Sequence, residues 1–284
     1  MQVNAYAKIN WHLKILKREK DGYHNICTVF QSVSLKDVLK FKKREKGFIF
    51  KTNAKGIPRG DDNLVLKAAR ALSGHAGAEI FLDKKIPHQA GMGGGSADAA
   101  AALNALNILL KINLPEPELA EKAACLGADV AFNLKGGTAI GTGRGEKLKF
   151  YKNTKIYKLV IVKPDKGVPT KRAYEEFDKL NLPAESEKKV LKSAGKLIKA
   201  LRAGDLEAIK KYAVNDFEKV IYPGYPGIKK IRDEMIGKGA VISLLCGSGS
   251  AVFGLFKTSY MQNRAYSYFK RKKNIRVYKA RTLG

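Results

Sequence analysis

The segment that most constrains this chain is a glycine-rich stretch followed at once by an alanine-rich one. Residues 91–96 read Gly-Met-Gly-Gly-Gly-Ser, and residues 97–102 are all alanine except Asp98. Alanine favours helix and glycine disfavours it, so a loop is expected to lead straight into a helix N-terminus. Backbone N–H groups at such a junction can approach phosphate oxygens, and the helix dipole favours negative charge there. The pattern therefore indicates a phosphate site, with a merely flexible loop as the alternative.

Two well-known phosphate-binding motifs do not describe this loop. A P-loop closes with Gly-Lys-Ser/Thr, which is missing here, and the dinucleotide fingerprint needs a glycine where this chain has Ser96. The glycine-rich loop is therefore neither a P-loop nor a dinucleotide-binding loop.

The charge of the chain also points towards anions. Its 284 residues carry 54 Lys and Arg against 26 Asp and Glu, a formal net charge of +28. Such a field attracts nucleic acid, acidic membrane surfaces or phosphorylated small molecules. Apolar residues make up 45% of the chain, which is enough to fill globular cores and excludes disorder. The length predicts about two domains.

The same sequence argues against membrane insertion and secretion. The longest apolar runs, such as residues 240–246, are far shorter than the ~20 residues of a spanning helix. Residues 1–16 carry no signal-peptide pattern. Cys27, Cys125 and Cys246 are too few and too widely spaced for a disulfide framework or a zinc site. We therefore expect a reducing, cytoplasmic location.

Apolar periodicity divides the chain into two predicted domains. Alternation over residues 3–16 and 26–38, with a turn at Asp21-Gly22, predicts an N-terminal hairpin. A polar run near residue 153 precedes an apolar strand at 159–162, so we place the boundary there, with domains of residues 1–153 and 154–284. The other predicted elements are helices over 63–72 behind an Asp61-Asp62 cap, 116–126, 170–180, 185–201 and 205–214; strands over 78–82, 128–134, 241–245 and 251–256; a turn over 222–227; and a closing helix and strand within 257–284.

Two side chains have the character that phosphoryl transfer requires. Lys8 lies on the first predicted strand, where it shares a face with Asn10, and its ammonium can neutralise phosphate charge. Asp129 is a single carboxylate in an apolar stretch just after a helix, and a carboxylate can accept a hydroxyl proton. A solvated surface lysine and a helix-capping aspartate are the alternatives.

An aromatic pair follows the predicted turn. Tyr23 and His24 can stack on a planar ligand and hydrogen-bond to its edge, although packing of the hairpin explains them as well. His12, His75 and His88 lack the spacing typical of metal ligands, so no histidine metal site is predicted.

Together these segments resemble a known family of enzymes. The motifs are Ala7-Lys8-Ile9-Asn10, Asp21-Gly22-Tyr23-His24, the loop from Lys85 through Pro87 to Ser96, Gly127-Ala128-Asp129-Val130 and Gly247-Ser248-Gly249. In this order, over about residues 5–256, they are similar to the small-molecule kinases named after galactose, homoserine, mevalonate and phosphomevalonate. The first two motifs are most similar to the branch whose substrate is a cytidine diphosphate derivative of methylerythritol, in the non-mevalonate isoprenoid pathway.

The resemblance implies a fold and a reaction. The fold is a two-domain α+β kinase fold, with an N-terminal ribosomal-S5-like α/β domain and a C-terminal ferredoxin-like α+β domain. The reaction is transfer of the γ-phosphate of ATP to the 2-hydroxyl of the methylerythritol unit. Asp129 would be the catalytic base and Lys8 its charge-stabilising partner. Mg²⁺ is expected with ATP, although its ligands are not identified.

The resemblance also assigns the residues that recognise the substrate. Tyr23 and Tyr174 would flank the cytosine ring, and His24 would hydrogen-bond to its edge. Asn10 would help to position the sugar-like part.

A further set would hold phosphates. Gly247, Ser248 and Gly249 would complete the phosphate cradle from the second domain and are assigned to the substrate-binding set. The residues that would wrap the phosphates of ATP are Pro87, His88, Gln89, Ala90, Gly91, Met92, Gly93, Gly94, Gly95, Ser96 and Ala97.

Two other functions stay open at this point. One is a kinase of the same family that acts on mevalonate or homoserine, against which the segment 21–24 argues because those substrates have no cytosine. The other is a nucleic-acid-binding protein, because residues 257–284 interleave nine Lys and Arg with aromatic residues and contain no acid. We favour a solvated basic face there, and we expect a small-molecule substrate with no membrane or nucleic-acid partner. The oligomeric state does not follow from the sequence.

Overall fold

The structure is a computed structural model that describes residues 1–72, 76–183 and 185–284. Contacts between residues divide it into two compact units. The first consists of Met1–Ala7, Lys36–Pro87 and Gly93–Gly136, and the second of Lys8–Leu35, His88–Met92 and Gly137–Gly284. These units interleave along the chain, so they do not test a single cut between residues 153 and 154, which stays a prediction. His75 lies outside the described residues.

Two long strands contribute residues to both units. They are β1 (Gln2–Arg18) and β2 (His24–Arg44), and they are neighbours in one sheet, as the predicted hairpin requires. The turn between them is closed by a hydrogen bond from the Gly22 N–H to the Glu19 carbonyl, 3.0 Å long.

The first unit is a small sheet with helices packed on an alanine-rich core. Its strands β3 (Phe48–Thr52) and β4 (Gly77–Asp83) pair in parallel, and β4 pairs antiparallel with the end of β2. Its helices are α1 (Leu64–Leu72), α2 (Gly94–Leu109), α3 (Glu116–Leu126) and α4 (Ala128–Lys135). Alanines along α2 are buried against α1 and α4, because their small side chains let the neighbouring helices approach.

Two local predictions in this unit are wrong. Asn63 caps α1, since its Oδ1 accepts the N–H groups of Val65 and Leu66, whereas Asp61 pairs with Arg70 at 2.6 Å. Residues 128–134 form helix α4 and not a strand. Alternation in so short an apolar run does not distinguish strand from helix, and Gly127, with φ +147°, ends α3 and begins α4.

The second unit contains a second, antiparallel sheet. Its strands are β7 (Lys158–Pro164), β9 (Ile242–Leu245), β10 (Val252–Phe256) and β11 (Ile275–Arg281), in the order β11-β7-β10-β9. A separate hairpin of β5 (Thr138–Thr142) and β6 (Lys147–Tyr151) pairs with β2, and the short β8 (Val214–Asn215) pairs in parallel with β1.

The helices of this unit cover its sheets. They are α5 (Thr170–Asp178), α6 (Glu187–Ala203), α7 (Leu206–Tyr212), α8 (Glu218–Gly224), α9 (Pro226–Gly237) and α10 (Ser259–Lys270). The turn predicted over 222–227 is confined to Tyr225 between α8 and α9, since Pro226 starts a helix, a position that proline tolerates. The closing helix and strand are confirmed as α10 and β11.

Part of the basic C-terminal stretch is paired within the unit. The Lys272 ammonium lies 2.5 Å from the Glu234 carboxylate, and Lys238 lies over the Tyr268 ring at 4.2 Å from its centroid. In the residues that the structure describes, no helix has the length and apolar character to cross a membrane.

Candidate active site

Lys8 belongs to a buried polar chain in the second unit. Its Nζ donates to Asn10 Oδ1 at 3.0 Å, and Asn10 Nδ2 donates to Thr28 Oγ1 at 2.8 Å. The Thr28 hydroxyl in turn donates to the His12 carbonyl. Lys8 is 5% exposed and Asn10 1%, so the lysine is not the solvated surface residue of the alternative interpretation. Burial together with the Asn10 acceptor directs the ammonium, as a site that stabilises charge requires.

Two glycine loops meet beside this lysine. The Lys8 N–H donates to the Met92 carbonyl at 3.0 Å. Gly91, with φ +71°, packs so closely on the backbone of residues 246–249 that a Cβ there would overlap the Cys246 carbonyl oxygen. A Cβ on Gly247 would lie 2.7 Å from the Gly91 carbonyl oxygen and 3.2 Å from Lys8 Nζ. The structure thus brings Lys8, Asn10, Gly91 and Gly247 together within the second unit.

Residues 247–249 are buried in this arrangement. Ser248 Oγ lies 2.9 Å from Thr170 Oγ1, at the start of α5.

The segment after α7 holds this loop in place, and the sequence analysis missed it. Asn215 Nδ2 donates to the carbonyls of Leu245 and Gly247, at 2.9 and 2.8 Å. The Glu218 carboxylate accepts the Leu245 N–H at 2.8 Å, and burial raises the pKa of Glu218 to about 7. The polar residues in the run from Val214 to Glu218 were the available signal.

The remaining part of the predicted ATP loop lies in the first unit. Gly93 has a left-handed conformation, φ +64°, and precedes α2, which begins at Gly94 as the glycine-to-alanine junction predicts. In the described residues no side chain caps this helix start, and its first N–H groups point out of the N-terminus as they do in anion sites. Ser96 lies in the first turn.

Asp129 lies in the first turn of α4, in the same unit as Gly93 and α2. Its backbone carbonyl accepts from Asn133 Nδ2 at 2.7 Å, and Gly127 occupies the N-cap position of α4. A carboxylate has the oxygen acceptors that a general base needs.

The predicted cytosine-binding residues lie in the second unit. His24 stacks on Tyr174, with ring centroids 5.1 Å apart and planes 15° from parallel. His24 Nε2 bonds to Asp178 Oδ1 at 2.7 Å. Tyr23 is 60% exposed, and the Arg144 guanidinium covers one of its faces at 4.1 Å. The structure therefore brings His24 and Tyr174 together, and Tyr23 presents its ring to solvent beside Arg144.

A pocket of about 250 Å³ adjoins His24 on the second unit. Arg18, Phe177 and Asp178 are among its lining residues. No group of three or more His, Cys, Asp or Glu side chains suited to a metal ion occurs among the described residues. Mg²⁺ held mainly by ATP phosphates and water needs only one or two carboxylates, so we assign no protein ligand to it.

The known proteins that this chain resembles belong to one class of enzymes. The GHMP kinases N terminal domain matches residues 63–139, and the GHMP kinases C terminal domain matches residues 197–275. A crystal structure of homoserine kinase from Cytophaga hutchinsonii shares the fold at 21% identity and a TM-score of 0.74, covering 99% of this chain and 94% of the other. The two matched domains, in this fold, define a kinase of the GHMP class.

Relatives of higher sequence identity show which family of GHMP kinases the chain belongs to. The 4-diphosphocytidyl-2-C-methyl-D-erythritol kinase of Caldanaerobacter subterraneus subsp. tengcongensis is 40% identical over 270 residues, 94% of this chain and 91% of the relative. The enzyme of that name from Moorella thermoacetica is 41% identical over 258 residues, 88% of each chain. A crystal structure of 4-(cytidine 5'-diphospho)-2C-methyl-D-erythritol kinase has a TM-score of 0.83 and 31% identity, covering 100% of both chains. The chain belongs to the 4-diphosphocytidyl-2-C-methyl-D-erythritol kinase family, so the predicted enzyme class and two-domain α+β fold are confirmed.

Proposed function

We propose that this protein transfers the γ-phosphate of ATP to the 2-hydroxyl of 4-diphosphocytidyl-2-C-methyl-D-erythritol. Membership of the family supports the reaction, and the oriented lysine at the two glycine loops is the observation that carries the chemistry. ATP is the donor. The +28 net charge suits a site that gathers the phosphates of ATP and of a nucleoside diphosphate.

Asp129 is the proposed base. Its carboxylate accepts the proton of the 2-hydroxyl as that oxygen attacks the γ-phosphorus, and the bond from the γ-phosphorus to the bridging oxygen of ADP breaks. General base catalysis of this kind contributes about 10²–10⁴-fold.

Lys8 is the proposed charge-stabilising group. Its buried ammonium favours the negative charge that develops on the attacking oxygen and on the transferred group. Asn10 has a second task in this proposal besides positioning the sugar-like part, since its amide oxygen fixes the direction of the Lys8 ammonium.

The loops bind the phosphates. The residues from Pro87 to Ala97 surround those of ATP, with the backbone N–H groups at the start of α2 as the main donors. Gly247, Ser248 and Gly249 complete the cradle. Mg²⁺, when bound with ATP, would neutralise part of the phosphate charge.

His24, Tyr23 and Tyr174 are proposed to recognise the cytosine. The two tyrosine rings provide stacking area and His24 provides a polar edge. Because His24 already stacks on Tyr174, the base either extends that stack or displaces the imidazole from it.

We also place the protein in the cytoplasm. Cys27, Cys125 and Cys246 are free thiols, as a reducing compartment maintains them. A small-molecule substrate accounts for the site without a nucleic-acid partner.

An assay with each acceptor in turn tests the proposal. The protein is incubated with ATP and Mg²⁺ and either the cytidine diphosphate substrate, mevalonate or homoserine, and the phosphorylated position is read by ³¹P NMR. We expect product from the cytidine substrate alone, phosphorylated at the 2-hydroxyl. Turnover of mevalonate or homoserine, with none of the cytidine substrate, would contradict it.

A further inference from the structure

A buried ion network in the first unit adjoins the proposed ATP loop. Lys84 Nζ lies 2.6 Å from Asp37 Oδ2 and 2.6 Å from Asp98 Oδ2. The three side chains are almost wholly buried, at 7%, 0% and 3% exposure. One ammonium between two buried carboxylates is a costly arrangement, and such networks often contribute little to stability compared with apolar packing. A role besides stability is therefore worth seeking.

The network connects the two ends of the loop. Lys84 precedes Pro87, the first residue of the loop, and Asp98 directly follows Ala97, the last. The ion pair between Lys84 and Asp98 therefore joins the chain that enters the loop to the helix that leaves it. A short closure of this kind restricts the conformations available to the residues between its ends.

Asp37 fixes the entering chain to the sheet. Its Oδ1 accepts the N–H groups of Lys85 and Ile86, at 2.5 and 2.7 Å, while Oδ2 contacts Lys84. Because Asp37 lies on β2, three consecutive residues before the loop are held by one buried carboxylate.

Gly94 makes room for this arrangement at the start of α2. A Cβ there would lie 2.8 Å from Ile86 Cγ2 and 3.0 Å from Lys84 Nζ. The glycine thus lets Lys84 and Ile86 pack against the first turn of the helix whose N–H groups are assigned to phosphate.

The charge of the network changes near neutral pH. Burial raises the pKa of Asp98 to about 7, with Lys84 opposing the shift and Asp37 adding to it. Lys84, from the segment before the loop, and Asp37, on β2, are the charged groups that face Asp98 in the described residues. With Asp98 protonated the network is neutral, and with Asp98 ionised it carries one negative charge close to where phosphates are proposed to bind.

We propose that Lys84, Asp37 and Asp98 form a positioning network that holds the ATP loop in its phosphate-binding conformation. The inference rests on the proposed assignment of residues 87–97 to ATP. The three residues act through the loop and do not touch substrate, so they are positioning residues and not catalytic ones.

The first test compares two buried polar residues of α2. Asp98→Ala is expected to raise KM for ATP about tenfold while KM for the cytidine substrate stays within about twofold. Asn107→Ala is the matched control, because Asn107 is buried in the same helix and, in the described residues, its side chain hydrogen-bonds only to the backbone of Leu114. The control is expected to lower Tm without changing KM for ATP. Asp98→Ala behaving like the control would overturn the proposal.

Asp98→Asn supplies the second test. It tests the positioning network even if Asp98→Ala does not fold. It keeps an oxygen acceptor for Lys84, so it is expected to retain most of the affinity for ATP. It also cannot ionise. Between about pH 6 and about pH 8, KM for ATP should therefore rise more in the unsubstituted protein than in Asp98→Asn, since only the former gains a buried negative charge. Equal pH dependence in the two proteins would overturn the proposal.

Gly93→Val separates failure of this inference from failure of the proposed function. Gly93 has a left-handed φ that a β-branched residue strains, so the loop should lose ATP. Unchanged KM for ATP in Gly93→Val would contradict the assignment of the loop itself. A raised KM in Gly93→Val together with an unchanged KM in Asp98→Ala would contradict only the positioning network.

Discussion

Lys8 Nζ donates to Asn10 Oδ1 at 3.0 Å, from a neighbouring position on the same face of one strand. Asn10 is itself fixed, because its Nδ2 donates to the Thr28 hydroxyl on the adjacent strand. A long, flexible lysine is thereby held in one direction by a residue that has little freedom of its own. Orientation of this kind reduces the reorganisation needed when charge develops in the transition state.

The first prediction concerns a variant in which the Lys8 ammonium loses this orientation. Asn10→Ala is expected to lower kcat by about 10- to 100-fold, because Lys8 loses the acceptor that directs it, with a smaller change in KM for ATP. Steady-state kinetics with both substrates measures the effect. Thr28→Val, which removes the second bond of the chain, should lower kcat less. A kcat within about twofold of the unsubstituted value for Asn10→Ala would contradict the role of Asn10.

The second prediction concerns the recognition of cytosine. His24→Ala is expected to raise KM for the cytidine substrate by about 10-fold and to leave KM for ATP unchanged, because His24 is proposed to contact the base and not the reacting hydroxyl. Tyr260→Ala is a control, since Tyr260 is an exposed aromatic residue outside the proposed site. If His24→Ala and the control give the same KM, His24 does not belong to the recognition site.

The third prediction concerns the loop that Asn215 holds. Asn215→Ala leaves the buried carbonyls of Leu245 and Gly247 without their donor, which should cost about 1–3 kcal/mol of unfolding free energy. Because Gly247 lies beside Lys8, kcat should fall as well. Denaturant unfolding and steady-state kinetics check the two effects. Loss of stability with unchanged kcat would show that the loop does not support catalysis.

The fourth prediction is a pH dependence of stability. Burial raises the pKa of Glu218 to about 7, above its ordinary value of 4.5. The protonated form is therefore favoured in the folded state, so its contribution is complete below the ordinary pKa and is lost as the pH rises through about 7. Between about pH 5 and about pH 8 the unfolding free energy should fall by on the order of 2 kcal/mol more than in Glu218→Gln, which stays neutral. Parallel curves for the two proteins would contradict the raised pKa.

Local patterns in the sequence predict much of this fold. Alternation predicts the long hairpin, the glycine-to-alanine junction predicts the start of α2, and Gly127 predicts the end of α3. Residues 128–134 were assigned wrongly because Val130 and Phe132 alternate as in a strand although both are buried from a helix. The apolar run is too short for its periodicity to distinguish a strand from a helix. Packing of α4 on α2 and α3 favours the helix.

The site is predicted less completely, for a related reason. Lys8 and Asn10 are two residues apart, so the rule that alternate residues share a face identifies the pair. Asn215 contacts Gly247 and Asp37 contacts Lys84 across 32 and 47 residues. The polar run over residues 214–218 marks Asn215 as a candidate, but a single sequence does not identify its distant partner. Residues that support a site from elsewhere in the chain therefore emerge only from the structure.

The central claim is that Asp129 takes the proton of the attacking hydroxyl. Asp129→Asn keeps the shape of the side chain and removes its basicity, so the direct test is kcat of this variant, measured together with the Kd for ATP. The account predicts a kcat lower by about 10²–10⁴-fold with the Kd for ATP within about threefold of the unsubstituted protein. A kcat close to that of the unsubstituted protein would contradict it.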